Sequence, residues 1–272
     1  MVRRRLDAEL VRRGLASSRT EAQRAVRRGL VLVRGRQADK PSTLVDDSEP
    51  VDVAAPPRRF VSRGGEKLDA ALSRFAIAVR DRRCLDAGAS TGGFTDRLLQ
   101  GGAAHVVALD VGYGQLAWTI RVDDRVTVLE RTNVRDLTAD DLPYAPDLVV
   151  ADLSFISLTL AVPRLAAVTD AGADLVLLVK PQFEAGRPSV GRGGVVRNPD
   201  VWRSCVTSVA EAVADARFAP SGVMASPVRG PAGNVEFLLH AVDARSGPRL
   251  PARDVPELDA AIDEGLAVGA AS

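Results

Sequence analysis

Four residues of this chain bring together the chemistry of proton transfer and of charge stabilisation: Lys67, Asp152, Lys180 and Glu236. An amine can take the proton of a weak oxygen nucleophile, or as ammonium it can stabilise the alkoxide that develops. A neighbouring carboxylate sets its charge and aim. One such lysine alone reads as a surface charge, but these four accompany a glycine-rich run. That run is Asp86-Ala87-Gly88-Ala89-Ser90-Thr91-Gly92-Gly93-Phe94-Thr95. Glycines there allow a tight strand-to-helix turn and let a ligand approach the backbone. Asp86 opens the run with a carboxylate suited to a cationic amino-acid moiety and unsuited to a pyrophosphate. Asp110 follows 24 positions later, where a carboxylate grips ribose hydroxyls. Asn133 and Asp136 are placed to contact an adenine, although the same residue types also build turns. The expected cofactor set is therefore Asp86, Gly88, Ala89, Ser90, Thr91, Gly92, Gly93, Phe94, Asp110, Asn133, Asp136 and Asp152.

These residues fall among short aliphatic runs that alternate with helical segments. The expected strands are 84–86, 106–110, 126–129, 148–152, 175–180 and 235–240, the last including Val235 and Glu236. Continuous apolar runs suit a parallel sheet buried on both faces. Asp86, Asp110, Asp152 and Lys180 end four of these runs, and wound α/β sheets bind ligands at the carboxyl ends of their strands. Lys67 precedes the first strand. His105 and His240 lie in expected strands without companion ligands, so they are assigned to packing and no metal site is expected. Cys84 and Cys205 lie far apart and make no disulfide framework.

The first sixty residues form a different kind of module. Residues 1–60 hold 14 Lys and Arg against 8 Asp and Glu, a net of +6, while the remainder holds 22 against 27, a net of −5. A basic module on a mildly acidic body points to a polyanionic partner. Leu6, Leu10 and Val11 have helical spacing and Gly14 stops them. Ser18-Arg19-Thr20-Glu21 has the form of a capping box that starts a second helix through Ala22, Ala25 and Val26. Leu30–Val33 and Val51–Val53, with Asp46–Glu49 between, are expected to make a small sheet. Arg19, Arg27, Arg28, Arg34, Arg36 and Lys40 should surround it. Pro56-Pro57-Arg58-Arg59-Phe60 reads as a semi-rigid linker.

The pattern Leu6-Asp7, Leu10, Gly14, Ser18-Arg19, Ala22, Ala25, Gly29, Val31, Val33, Gly35 and Lys40-Pro41 resembles the S-four-type RNA-binding domain. That resemblance implies docking on folded RNA through phosphate contacts by Arg4, Arg5, Arg19, Arg27, Arg28, Arg34, Arg36 and Lys40, with Arg63 beside the catalytic segment. Farther along, Ser62–Leu68, Asp86–Thr95, Asp152-Leu153-Ser154-Phe155-Ile156-Ser157, Lys180-Pro181-Gln182-Phe183-Glu184-Ala185-Gly186 and Gly233-Asn234-Val235-Glu236-Phe237 occur in that order. Together they resemble the FtsJ-type ribose methyltransferases, and closely the TlyA branch, which also carries the S-four-type module. The resemblance implies an α/β fold: a Rossmann-like class I methyltransferase sheet with helices on both faces, preceded by a small α+β RNA-binding domain. It implies a catalytic tetrad of Lys67, Asp152, Lys180 and Glu236, the cofactor S-adenosyl-L-methionine, and cytidine 2′-hydroxyls of ribosomal RNA in either or both subunits as acceptors. Lys180 is then the proton acceptor or alkoxide stabiliser, oriented by Asp152 near the methyl group. Lys67 and Glu236 position the target ribose, and the choice of base between the lysines stays open.

The expected domains are 1–56 for RNA binding, 57–62 as linker, 63–250 for methyl transfer and 251–272 as a C-terminal tail or helix. Gly193–Asn198, with Arg187 and Arg192, reads as a mobile loop near the RNA or an ordinary glycine-rich connection. Many descriptions of the branch use the name hemolysin. No apolar run approaches the roughly 18 residues that span a bilayer, and the basic N-terminus is not followed by a secretory core. A cytoplasmic monomer acting on ribosomal RNA or ribosomal subunits is expected, without stable membrane association. A membrane-lytic protein, a binding-only assembly factor and an NAD-dependent dehydrogenase fit less well. Replacing Lys180 with Ala is expected to abolish methyl transfer while S-adenosylmethionine binding, followed by calorimetry, stays intact.

Overall fold

The computed structural model describes residues 3–16, 18–54, 59–245 and 255–270. Of the expected linker, Pro56, Pro57 and Arg58 lie outside the described residues, as do 246–254 at the expected end of the catalytic domain, and the side chains of Arg187 and Arg192. The chain forms two compact units, Met1–Arg59 and Phe60–Ser272.

In the first unit, β1 (Arg4–Arg5) leads into α1 (Leu6–Arg12) and α2 (Arg19–Arg27), followed by β2 (Val31–Val33), β3 (Arg36–Gln37), β4 (Leu44–Val45) and β5 (Val51–Val53). Ser18 caps α2, its Oγ accepting from Glu21 N at 3.2 Å. The strands make two small sheets. β1 pairs with β4, and β2 lies between β3 and β5, all antiparallel. The Asp46–Glu49 stretch, expected in the sheet, is instead a turn in which Asp46 Oδ1 accepts from Ser48 N and Glu49 N. Leu6, Leu10, Ala22, Val26, Val31, Val45 and Val51 form the core.

So small a core leaves room for two fully buried acids, Asp7 and Glu9 on α1. Buried carboxylates need partners. Arg5, Arg19 and Gln23 reach Asp7, while Arg12 and Arg13 reach Glu9 at 2.5 and 2.7 Å. The Arg5 guanidinium holds Asp7 well below the usual carboxylate range against the opposing effect of burial. Arg12, helped by Arg13, likewise brings Glu9 down to about 2.

The second unit begins with α3 (Gly64–Arg74), then β6 (Arg83–Ala87), α4 (Gly93–Gln100), β7 (His105–Asp110), α5 (Trp118–Arg121), β8 (Val126–Glu130) and β9 (Leu148–Ala151). It continues with α6 (Leu158–Ala167), β10 (Asp174–Val179), α7 (Pro181–Glu184), α8 (Pro199–Asp215), β11 (Phe218–Ala225), β12 (Phe237–Asp243) and α9 (Leu258–Ala270). The sheet order is β11-β12-β10-β9-β6-β7-β8. β6 to β10 run parallel to one another, whereas β12 is antiparallel to both β10 and β11. The sheet is thus mixed rather than wholly parallel. The apolar run around 235–240 signals burial but carries no direction.

Successive residues of a strand point to opposite faces. Leu85, Val107, Val149 and Leu177 pack on one face with Val162, Leu165, Val206 and Val209. Cys84, Val106, Val150 and Leu178 pack on the other with Leu68, Leu72, Phe94 and Leu98. Both faces are covered, so both sets are apolar and the strands read as unbroken runs. Each fully buried aliphatic side chain contributes about 1.5–3 kcal/mol, so the unit needs few aromatics.

His240 Nε2 donates to Asp174 Oδ1 at 2.7 Å and its ring stacks on Phe75, while His105 meets Tyr144. Glu9 has its native pKa below its unfolded value, so its contribution is present above about pH 4 and is lost as pH falls toward 2. Glu9→Gln should therefore show a shallower loss of first-unit stability between pH 4 and 2 than the parent, measured by chemical denaturation across that range.

Candidate active site

The parallel strands deliver their last residues to one edge of the sheet. Asp110 ends β7, and Asp152 and Lys180 follow β9 and β10 directly. β12 runs the other way, with Phe237 paired to Val179, so its beginning lies at the same edge and Glu236 arrives next to Lys180 in register. Lys67 comes from α3.

Two ion pairs result. Lys67 Nζ donates to Glu236 Oε2 at 2.5 Å, and Lys180 Nζ lies 2.6 Å from Asp152 Oδ1 and donates to Ser154 Oγ at 2.9 Å. Lys67 and Lys180 are each 7% exposed and Glu236 is 1% exposed. Gly230 sits against the Glu236 carboxylate so closely that a Cβ there would come within 2.5 Å of Oε1.

All four residues line a cavity of about 260 Å³, together with Ser62, Arg63, Ala89, Thr91, Gly93, Phe94 and Pro231. A second cavity, of about 590 Å³, is walled by Leu109, Asp110, Gln115, Asn133, Val134 and Phe155 among others. Gly88, Ser90, Asp152 and Ser154 belong to both walls, so the two cavities meet beside the Lys180–Asp152 pair.

The glycine-rich turn shapes this junction. Gly88 has φ +88°, and a Cβ would lie 2.5 Å from the Asp152 carbonyl oxygen, which makes the close approach specific to glycine. Gly88 N and Ala89 N donate to Leu109 O. Asp110 accepts from Ser90 N at 2.8 Å and Gly112 N at 2.7 Å, fixing the rim.

Of the expected cofactor residues, Gly88, Ser90, Asp110, Asn133 and Asp152 line the larger cavity; Ala89, Thr91, Gly93 and Phe94 line the smaller. Three line neither. Gly92 packs toward Leu116 and Ile120, and Asp136 is exposed on a 3₁₀ turn. Asp86 lies buried behind the loop, its Oδ2 accepting from Thr95 N at 2.9 Å and Thr95 Oγ1 at 2.7 Å. Burial pushes its carboxyl up to about 7, opposed by the Thr95 hydrogen bonds and reinforced by Asp152. Ser154, Phe155 and Gln115 were not singled out from sequence. The first two adjoin Asp152 in the Asp152–Ser157 motif, which was the available signal.

Among the RNA-facing candidates, Arg63 is exposed on the smaller cavity's rim. Arg4 pairs with Asp47, Arg5 and Arg19 with Asp7, and Arg34 with Glu49. Arg27, Arg28, Arg36 and Lys40 are exposed and form no ion pair among the described residues. The described residues contain no cluster of three or more His, Cys, Asp or Glu able to hold a metal ion.

A wound α/β sheet whose edge joins a glycine-lined cofactor cavity to a cavity of paired lysines and carboxylates defines a cofactor-dependent group-transfer enzyme. Residues 60–242 match the FtsJ-like methyltransferase family, and the chain belongs to that family. Residues 4–51 match the S4 domain. The 16S/23S rRNA (cytidine-2′-O)-methyltransferase TlyA of Mycobacterium tuberculosis is 55% identical over 238 residues, 87% of this chain and 89% of that protein. Hemolysin A of Brachyspira hyodysenteriae is 37% identical over 88% of this chain and 99% of its own. A solved structure of a hemolysin from Streptococcus thermophilus superposes with a TM-score of 0.74 at 39% identity, covering 98% of this chain and 97% of that one.

The family's cofactor is S-adenosyl-L-methionine, and the residues present fit it. The turn at Gly88, on the wall of the larger cavity, has no room for a side chain, so a ligand there can approach the backbone. Removing one member of a buried ion pair typically costs about 3–5 kcal/mol. Lys67→Met or Glu236→Leu alone should therefore destabilise the second unit by roughly that amount, and the double variant should recover most of the loss in urea unfolding.

Proposed function

We propose that this protein transfers a methyl group to the 2′-hydroxyl of cytidine in ribosomal RNA of the small subunit, the large subunit or both. One observation carries the reading. Asp152 is a wall of both cavities and is paired with Lys180, so a bound donor and an acceptor hydroxyl would meet at a lysine–carboxylate pair. The sequence likeness to the mycobacterial enzyme over most of both chains supplies the acceptor class.

S-adenosylmethionine supplies an electrophilic methyl on a positively charged sulfur. Gly88, Ser90, Asp110 and Asn133 would hold it in the larger cavity. The acceptor oxygen loses its proton as its bond to carbon forms, and Lys180 Nζ is the group placed to receive that proton or the developing charge. As a neutral amine Lys180 has two N–H donors, which Asp152 and Ser154 can take, and a lone pair left to accept the proton of the acceptor hydroxyl. The Lys67–Glu236 pair lines the same cavity and orients the ribose, with Arg63 at its rim for an adjoining phosphate.

The exposed Arg27, Arg28, Arg36 and Lys40 of the first unit supply salt-dependent affinity for RNA phosphates. A ribosomal RNA substrate supports a cytoplasmic enzyme. No helix among the described residues is long and apolar enough to cross a membrane.

Incubation with methyl-labelled S-adenosylmethionine and separated ribosomal subunits from cells lacking the modification tests the reading. Label should appear on cytidine 2′-oxygens and vanish with Lys180→Ala. A parent protein that binds the cofactor but labels neither subunit would overturn it.

A further inference from the structure

Two chain stretches carry the Lys180–Asp152 pair: Asp152–Ser157 after β9, and Lys180–Glu184 after β10. They are tied together at three places. Lys180 meets Asp152 and Ser154, as described above. The rings of Phe155 and Phe183 lie 5.2 Å apart at a tilt of 49°. At the far ends, Glu184 Oε1 accepts from Leu158 N at 2.8 Å and Oε2 accepts from Ser157 Oγ at 2.5 Å.

Ser157 is the N-cap of α6 and Leu158 its first residue. The carboxylate therefore sits where unsatisfied N–H groups and the helix dipole favour an anion. Glu184 forms no ion pair with a Lys, Arg or His among the described residues. Burial raises its pKa, opposed by the bonds from Leu158 and Ser157. Among the described residues this half-buried carboxylate is held by those two bonds at the start of α6.

The stretch it clasps needs holding. Phe155 has φ +63°, an unfavourable backbone state for a non-glycine residue, and is 91% exposed, with its ring against Phe183. At one end Asp152 N donates to Ala87 O at 2.9 Å. At the other end the fastening is Glu184.

We propose that Glu184 is a positioning residue for methyl transfer: by clasping the start of α6 to the end of α7, it holds Asp152 and Ser154 against Lys180. The proposal rests on the methyltransferase reading. Glu184 itself lines neither cavity, so its loss acts only through the Asp152–Ser157 stretch it holds, and chiefly on the alignment of Asp152 and Ser154 with Lys180.

Single-turnover transfer at saturating cofactor and ribosomal subunit separates these effects. Glu184→Ala should slow transfer by about tenfold or more, since small misplacements of reacting groups have large rate effects. The dissociation constants for S-adenosylmethionine and for the subunit should stay within about twofold. Glu184→Gln, which keeps an oxygen for Leu158 N, should restore most of the rate. Ser157→Ala removes one of the two Glu184 bonds together with the cap that Ser157 gives Thr159 N, and serves as a second variant should Glu184→Ala fold poorly. It should slow transfer by a smaller factor, with cofactor affinity measured beside it because Ser157 lines the larger cavity.

Parental transfer rates in Glu184→Ala, or in Ser157→Ala where the former does not fold, would overturn the proposal. So would equal losses in the Ala and Gln variants that track weakened cofactor binding and a lowered Tm, the signature of a merely structural role. An inactive parent enzyme would instead strike at the methyltransferase reading itself.

Discussion

Taking an ammonium group out of water costs several kcal/mol unless a carboxylate accompanies it, and the catalytic unit meets that requirement twice within one small cavity. Lys67 with Glu236 and Lys180 with Asp152 each place a buried cation against an anion. Removing either partner leaves a buried charge uncompensated. The cavity's polarity is therefore inseparable from the sheet that supports it, because three of the four groups hang directly on strand ends.

Strand direction determines which end of each segment can contribute. A parallel strand offers its final residues to the cofactor edge, as β7, β9 and β10 do. Only a reversed strand can offer its first, and β12 does so with Glu236. The register of Phe237 against Val179 brings Glu236 beside the end of β10. The same edge carries the turn at Gly88, where the backbone after β6 comes so close to Asp152 that the two cavities share a wall. Fold and site are thus one arrangement: reversing β12 or adding a Cβ at Gly88 would separate groups that must touch.

Much of this was legible in the residues. The aliphatic runs marked most of the sheet because both of its faces are buried, and the terminal acids and lysines marked the edge. What escaped has physical reasons. β11, Phe-Ala-Pro-Ser-Gly-Val-Met-Ala, holds Pro220, Ser221 and Gly222 and shows little strand propensity; it forms as an outer strand paired along β12, where proline is tolerated. Asp86 looked like a ligand-facing acid, yet its position within β6 turns it under the loop toward Thr95. The arginines of the first unit read alike in sequence, whereas the fold divides them between internal partners of Asp7, Glu9 and Glu49 and free surface cations. That division depends on which acids become buried, a property of tertiary packing. Ser154 and Phe155 were visible only as members of a motif, since a contact 26 residues away at Lys180 has no local signature.

The separation of 169 residues between Lys67 and Glu236 bears on the order in which the chain is made. During synthesis from the N-terminus, the basic first unit and the glycine turn emerge early, whereas Glu236 emerges only after most of the sheet. Until then Lys67 lacks its carboxylate and the cavity lacks one wall. A nascent polypeptide still attached to a ribosome can thus display its RNA-binding unit before its chemistry is assembled, so translation itself delays competence until the last strand has docked.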